Sequence, residues 1–130
     1  MSSGAQGYYG KLGEPLVALD LVVGEDRFHR LTALVDTGFT RGLAIFRNDA
    51  ALPDLPTTTI AADPIYFANG TSCETSWTFG YVRWLGRRQE LPILVIHAEP
   101  EREAPCLIGM ELLKGSDILL GEESFEIRLA

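Results

Sequence analysis

Apolar and polar positions along this chain alternate in short blocks, with almost no helical spacing. LVALDLVV, residues 16–23, is rich in Leu and Val and stops at the turn signal Gly24-Glu25-Asp26. RFHRLTALV, residues 27–35, reads as a second strand, so the pair is expected to form a hairpin. GLAIF, residues 42–46, reads as a third strand. Residues 47–59 carry two prolines and a Thr triplet, which marks a loop or irregular segment.

From Ile60 to Ile96 the pattern is one of extended hairpins. Pro64-Ile65-Tyr66-Phe67 leads into Ala68-Asn69-Gly70, and Asn-Gly is a strong hairpin-turn signal. SWTFGYVRWLG, residues 76–86, returns from that turn. Its Trp77, Phe79 and Tyr81 alternate with smaller residues, as on a half-buried strand. LPILVIH, residues 91–97, reads as a further strand. A helix is expected only at GMELLKG, residues 109–115, where Leu112 and Leu113 are adjacent and glycines stand at both ends. ILLG and FEIRL close the chain as strands. With no repeat, no linker and no βαβ alternation, the chain reads as an all-β domain over residues 13–130. Residues 1–12 read as a loose N-terminal segment.

Length and composition narrow the classes. A chain of 130 residues is one domain on size grounds. Its 46% apolar and 22% charged content excludes a disordered polypeptide. Its nonpolar runs fall far short of the roughly 20 residues that a helical membrane span needs. The opening MSSGAQGYYGK lacks the basic start and apolar core of an export signal, so a cytoplasmic protein is expected.

A net charge of -7 argues against nucleic acid or an anionic membrane as partner. The compact basic cluster of Arg83, Arg87 and Arg88 has Glu90 beside it and reads as a solvated hairpin turn. Cys73 and Cys106 are too far apart for the short ligand spacing of metal sites, and His29 and His97 are isolated. No metal or cofactor is expected, and the thiols read as reduced.

The candidate chemistry lies in LTALVDTGFTRGLAIF, residues 31–46, where Asp36 follows an apolar strand and Thr37 and Gly38 follow it. A carboxylate at a tight turn can accept hydrogen bonds from nearby backbone N–H groups, which fixes its direction. Thr37 offers a hydroxyl able to bond across an interface, and Gly38 allows close backbone approach. Taken alone, three residues are equally an ordinary turn. A second stretch changes the weighing: CLIGMELLKGSDILL, residues 106–120, gives two apolar residues, a glycine, a short helix with paired leucines, then a strand.

Leu34-Val35-Asp36-Thr37-Gly38 together with Leu107-Ile108-Gly109 resembles the retropepsin-type aspartic proteases, from about Gly13 to Leu129. Asp36-Thr37-Gly38-Phe39-Thr40 is similar to a small bacterial and archaeal branch of them. The resemblance implies a closed β-barrel or sandwich with a flap hairpin and one short C-terminal helix. It implies that Asp36 is catalytic, that Thr37 and Gly38 support the acid turn, and that Gly109 is structural. Phe67, Ala68, Asn69 and Gly70 fall at the flap tip, and Phe39, Ile65, Phe67 and Ile108 are expected to line a substrate groove.

A single Asp-Thr-Gly on a chain matching one lobe of the two-lobed enzymes implies a homodimer acting on a peptide or protein substrate. The terminal strands, Gly7 to Lys11 and Phe125 to Leu129, are then expected to form much of the interface. Two positions carry open alternatives. Phe39 either packs in a core or interface or walls a pocket. Arg41 either faces solvent or approaches Asp36, where it would favour the ionised carboxylate. The alternative to an endopeptidase is a non-catalytic peptide-binding or assembly domain on the same dimeric fold. Retention of Asp36 within an intact Asp-Thr-Gly favours chemistry, because binding alone does not need the acid.

Overall fold

A computed structural model describes residues 4–46, 60–66, 70–98 and 104–130. The expected loop over 47–59, and Phe67, Ala68 and Asn69 of the expected hairpin tip, lie outside them. In chain order the strands are β1 (Gly4–Tyr9), β2 (Pro15–Gly24), β3 (Arg27–Val35), β4 (Leu43–Phe46), β5 (Ile60–Tyr66), β6 (Ser72–Trp84) and β7 (Arg87–Ile96). Then come β8 (Cys106–Ile108), the helix α1 (Met110–Leu113), β9 (Ser116–Leu120) and β10 (Ser124–Leu129).

The strands hydrogen-bond in the order β5-β6-β7-β4-β8-β3-β2-β1-β10-β9, and β6 also pairs with β2. That extra pairing, Asp20↔Arg83 to Val22↔Tyr81, closes β2, β3, β8, β4, β7 and β6 into a six-stranded barrel. Period-two alternation explains the closure, since each strand sends every second side chain to one interior. Leu19, Leu31, Leu43, Ile45, Val82 and Ile93 are among those that meet there, all buried. The expected β2–β3 hairpin forms, with a bulge between Val22 and Gly24 and Asp26 at φ 57 in its turn.

The basic cluster sits where a hairpin turns, but the turn itself is Leu85-Gly86, with φ 52 and φ 76. Positive φ at both central residues gives the twist that a tight hairpin needs. Leu85 bears this strained backbone because its side chain is buried in the barrel core. Arg87 and Arg88 begin β7 and are exposed. The Arg83 guanidinium lies 4.3 Å from the Phe28 ring centroid and that of Arg88 lies 4.8 Å from Tyr81.

The paired leucines do what their spacing suggests. Leu112 and Leu113 are both buried, and α1 closes one end of the barrel against Trp84. The Trp84 indole Nε1 donates to the Leu112 carbonyl at 3.1 Å. Trp84→Phe strands that buried carbonyl and removes part of the packing, and it is expected to lower stability by about 1–3 kcal/mol. Urea unfolding of the two proteins measures it.

The N-terminal segment is a correction. It is not loose: β1 lies between β2 and β10, paired to both, from Gly4↔Arg128 to Tyr9↔Pro15. Gly4, Ala5, Gln6 and Gly7 carry no alternating apolar signal, so periodicity misses the strand. Its place is made by packing, because the Phe125 ring occupies the space a side chain at Gly7 would need. β10 is likewise paired on both sides, to β1 and β9. β1 is paired to β10 along Gly4–Tyr8 and to β2 along Gly7–Tyr9.

Candidate active site

β3 and β8 run parallel and side by side, with Leu34↔Leu107 and Val35↔Ile108 in register. The two stretches that carry the family resemblance are thus neighbours in space. Asp36 leaves the end of β3 with its backbone N–H donating to the Ile108 carbonyl at 2.9 Å. The Gly38 N–H then donates to Asp36 Oδ1 at 3.0 Å, and the Phe39 N–H to the Asp36 carbonyl at 3.1 Å. This is a side-chain-closed turn: the short carboxylate arm reaches the amide two residues on and its direction is set.

The loop from Asp36 to Gly42 is held from the other side by the start of α1. A helix begins with N–H groups that have no partner within the helix, and no side chain caps this one. The acid loop supplies the acceptors instead. Gly109 N–H donates to the Gly42 carbonyl at 2.9 Å, Met110 N–H to Phe39 at 2.8 Å, and Glu111 N–H to Arg41 at 3.3 Å. Gly109 has to be glycine here. A Cβ would collide with the Arg41 carbonyl oxygen and stand 2.5 Å from that of Phe39.

Asp36 is half-buried, while Thr37 and Gly38 are exposed at the surface of the single chain. Phe39 is half-buried and packs against the cluster of Ala44, Leu94 and Ile96, to which Trp77 and Leu107 also contribute. Arg41 does not turn to Asp36. Its guanidinium lies 5.4 Å from the Trp77 ring centroid and 3.9 Å from Glu111 Oε1, with the side chain 56% exposed. A pair so exposed adds little stability.

Ile108 corrects an expectation. It is fully buried in the barrel core and does not line a groove. Alternation on a three-residue strand puts Cys106 and Ile108 inward and Leu107 on the opposite face, half-buried beside the Phe39 cluster. Leu107 is the residue that sequence reading missed: alternation says only that it and Ile108 point opposite ways, and the pairing with β3 and β4 decides which faces the core.

The expected hairpin is present as β5 and β6, with Ile65↔Cys73 and Tyr66↔Ser72 its last described pairs. Those pairs lie beyond the last β6–β7 pair, Thr75↔Ile96, so the hairpin extends past the barrel wall. Asp63 and Pro64 stand opposite a single residue, a bulge that accommodates a proline unable to donate to the ladder. Gly70 has φ 84, a left-handed conformation suited to glycine at a turn. At the base of this arm Ser76 Oγ and His97 Nε2 are 2.8 Å apart.

Among the described residues no three His, Cys, Asp or Glu side chains gather into a metal-holding group, and no helix is long and apolar enough to cross a membrane. Both thiols are free. Burial pushes Cys106 up to about 12, and burial also raises Cys73, so both favour the unreactive thiol form. Alkylation of the folded protein is expected to label half-buried Cys73 slowly and Cys106 only after unfolding. Mass spectrometry of each peptide reads this out.

No family model matches the chain, and no curated protein does. Solved structures do. A retropepsin-like aspartic protease from Rickettsia conorii superposes with a TM-score of 0.64 at 16% identity, covering 97% of this chain and 90% of that one. The EIAV protease in complex with the inhibitor HBY-793 superposes at 0.60 and 17% identity, covering 82% and 90%. At such identity the likeness is one of fold, and the chain has the retropepsin-like β-barrel with one short helix.

Proposed function

We propose that this chain is one protomer of a homodimeric aspartic endopeptidase, in which two Asp36 carboxylates, one per subunit, activate a water between them. The observation that carries the reading is the acid loop. A carboxylate oriented by Gly38 and clamped through Gly109, Met110 and Glu111 is more constraint than a surface turn needs. The two superposed proteins are described as proteases, one of them with an inhibitor bound, and their fold likeness supports the same reading. The resemblance of the run Asp36 to Thr40 to that of a small bacterial and archaeal branch supports the same reading. Two free thiols accord with a cytoplasmic protein.

In this reading one carboxylate takes a proton from the water while the other, protonated, donates to the scissile carbonyl oxygen. The tetrahedral species then collapses as a proton passes to the departing amine. Both roles need one proton on the pair, which close like charges arrange by driving the two macroscopic pKa values apart. Exposed Thr37 and Gly38 would meet their counterparts at the two-fold axis. Phe39 and Leu107 would wall the groove and favour apolar side chains beside the scissile bond. The β5–β6 hairpin would close over the peptide as a flap, with Ile65, Phe67, Ala68, Asn69 and Gly70 toward its tip, excluding bulk water.

The test is a mixed peptide library incubated with the protein from about pH 3 to about pH 8, with and without chelator, new termini being mapped by mass spectrometry. Cleavage with a bell-shaped profile on the acid side, indifferent to chelator, is expected. Cys73→Ser should cleave equally well. A verified dimer that cleaves at no pH would instead be a peptide-binding or assembly module.

A further inference from the structure

We infer that the outer face of the barrel where β3, β2, β6 and β7 run side by side is a docking site for an acidic protein segment, separate from the acid loop. The inference is independent of the peptidase reading. Arg30↔Asp20↔Arg83↔Arg88 form one row across the four strands, so three guanidiniums stand there against one carboxylate. The next row on the same face is Phe28↔Val22↔Tyr81↔Glu90. Arg30 stands about 20 Å before Asp36 along the extended chain.

The row carries a cost. Like charges directly opposite on an antiparallel pair destabilise it, and Arg83 faces Arg88. Stacking relieves part of this, with Arg83 over the Phe28 ring and Arg88 over that of Tyr81. Asp20 Oδ1 accepts from Arg30 Nε at 3.1 Å. All three guanidiniums nevertheless remain exposed, on a chain whose net charge is -7. A solvated turn gains nothing from such a row, whereas a partner's carboxylates remove its repulsion.

Beside the row the sheet opens. β2 pairs with β1 over residues 15–17 and with β6 over residues 20–22, while residues 4–6 of β1 follow β10. The gap is a crevice of about 240 Å³, lined by Ala18, Leu85 and Gly86 together with Asp20, Arg30 and Arg83. Pockets that enclose whole small molecules run from about 300 to about 1,000 Å³, so this one fits a single side chain of a longer ligand. Exposed Phe28, Phe79 and Tyr81 extend the surface, and aromatics mixed with arginine are the composition of protein-binding patches. Asp20 and Glu90 interrupt the positive charge. A continuous polyanion such as nucleic acid is repelled by them, whereas a peptide can set its carboxylates on the arginines and its apolar side chains between.

The probe is a fluorescein-labelled peptide alternating glutamate and leucine, titrated with the protein by anisotropy, with amide NMR shifts mapping where it lies. Saturable binding that weakens as salt rises is expected, with shifts at residues 28–30 and 81–88. Glutamine in place of glutamate should abolish it. Arg83→Gln and Arg88→Gln should each weaken binding at least about tenfold without lowering the melting temperature. Lys114→Gln, at the end of α1 and outside the face, should leave the affinity unchanged. Shifts confined to the acid loop and the β5–β6 hairpin, equal binding by both Arg variants, or no saturable binding at low salt would each overturn the docking site. Tighter binding of oligo(dT) than of the peptide would overturn the class of partner. If either variant fails to fold, the shift map on the wild-type protein still decides.

Discussion

Asp36→Asn is expected to abolish peptide hydrolysis, by about a thousandfold or more, while the fold and the oligomeric state stay as they are. The asymmetry follows from what the carboxylate does in each role. Structurally, Asp36 Oδ1 accepts one hydrogen bond from the Gly38 N–H at 3.0 Å, and an Asn amide oxygen can accept the same bond. The backbone bonds of residue 36 to Ile108 and from Phe39 do not involve the side chain at all. Chemically, an amide cannot take a proton from water near neutral pH, and in a homodimer one substitution removes both carboxylates. Loss of general base and general acid together costs at least about 4 kcal/mol of barrier at a thousandfold. The comparison needs thermal melts and sedimentation alongside cleavage. Equal cleavage by the Asn variant would remove Asp36 from the chemistry, and a collapsed melt would assign it a structural role instead.

Gly109→Ala should do the opposite, breaking the site by breaking its support. The added methyl meets two carbonyl oxygens of the acid loop and comes within 2.6 Å of Phe39 Cδ2. Backbone atoms cannot rotate away as a side-chain tip can. Gly109 itself has φ -112, a conformation open to alanine, so the conflict is purely one of space. Overpacking at this point and weakening of the bonds from Gly109, Met110 and Glu111 together are expected to destabilise by about 3 kcal/mol. Displacing Asp36 by even about 1 Å should lower cleavage roughly a hundredfold in whatever protein remains folded. Gly115→Ala provides the contrast. That glycine has φ 77, and a Cβ added to it would meet nothing within 4 Å, so only a backbone penalty of about 1–2 kcal/mol applies. Urea midpoints that ranked Gly115→Ala as the more damaging would show that the loop is not clamped as described.

The strands that carry their own alternation were legible in the sequence. LVALDLVV, RFHRLTALV and GLAIF are found as β2, β3 and β4 within a residue or two. Leu112 and Leu113 announced a helix that closes the barrel. β1 was not legible, because its glycines and Gln6 show no apolar period; the strand exists because Phe125 and two neighbouring ladders accept it. Nor was the direction of Ile108 legible from its neighbourhood in the Leu-Ile-Gly motif, which draws attention to both apolar residues equally. The pairing of that short strand with β3 and β4 decides which one faces the core. Likewise the carbonyl clamp on α1 left no mark beyond a glycine where a capping side chain would be expected.

More than half the chain lies between Asp36 and the Ile108 carbonyl that receives its N–H. β1 at the other extreme waits for β10, the last strand of the sequence. Contacts this distant along the polypeptide make for slow folding, since loop closure must precede the bonds that reward it. During synthesis the Asp-Thr-Gly turn therefore leaves the ribosome long before the strand and helix that orient its carboxylate. An emerging chain carries the acid but no clamp for it, so its aspartate is an ordinary solvated side chain until the C-terminal quarter arrives. In the peptidase proposed above this order of assembly would be protective, because the acid loop would gain its orientation only once β8 and α1 have been made.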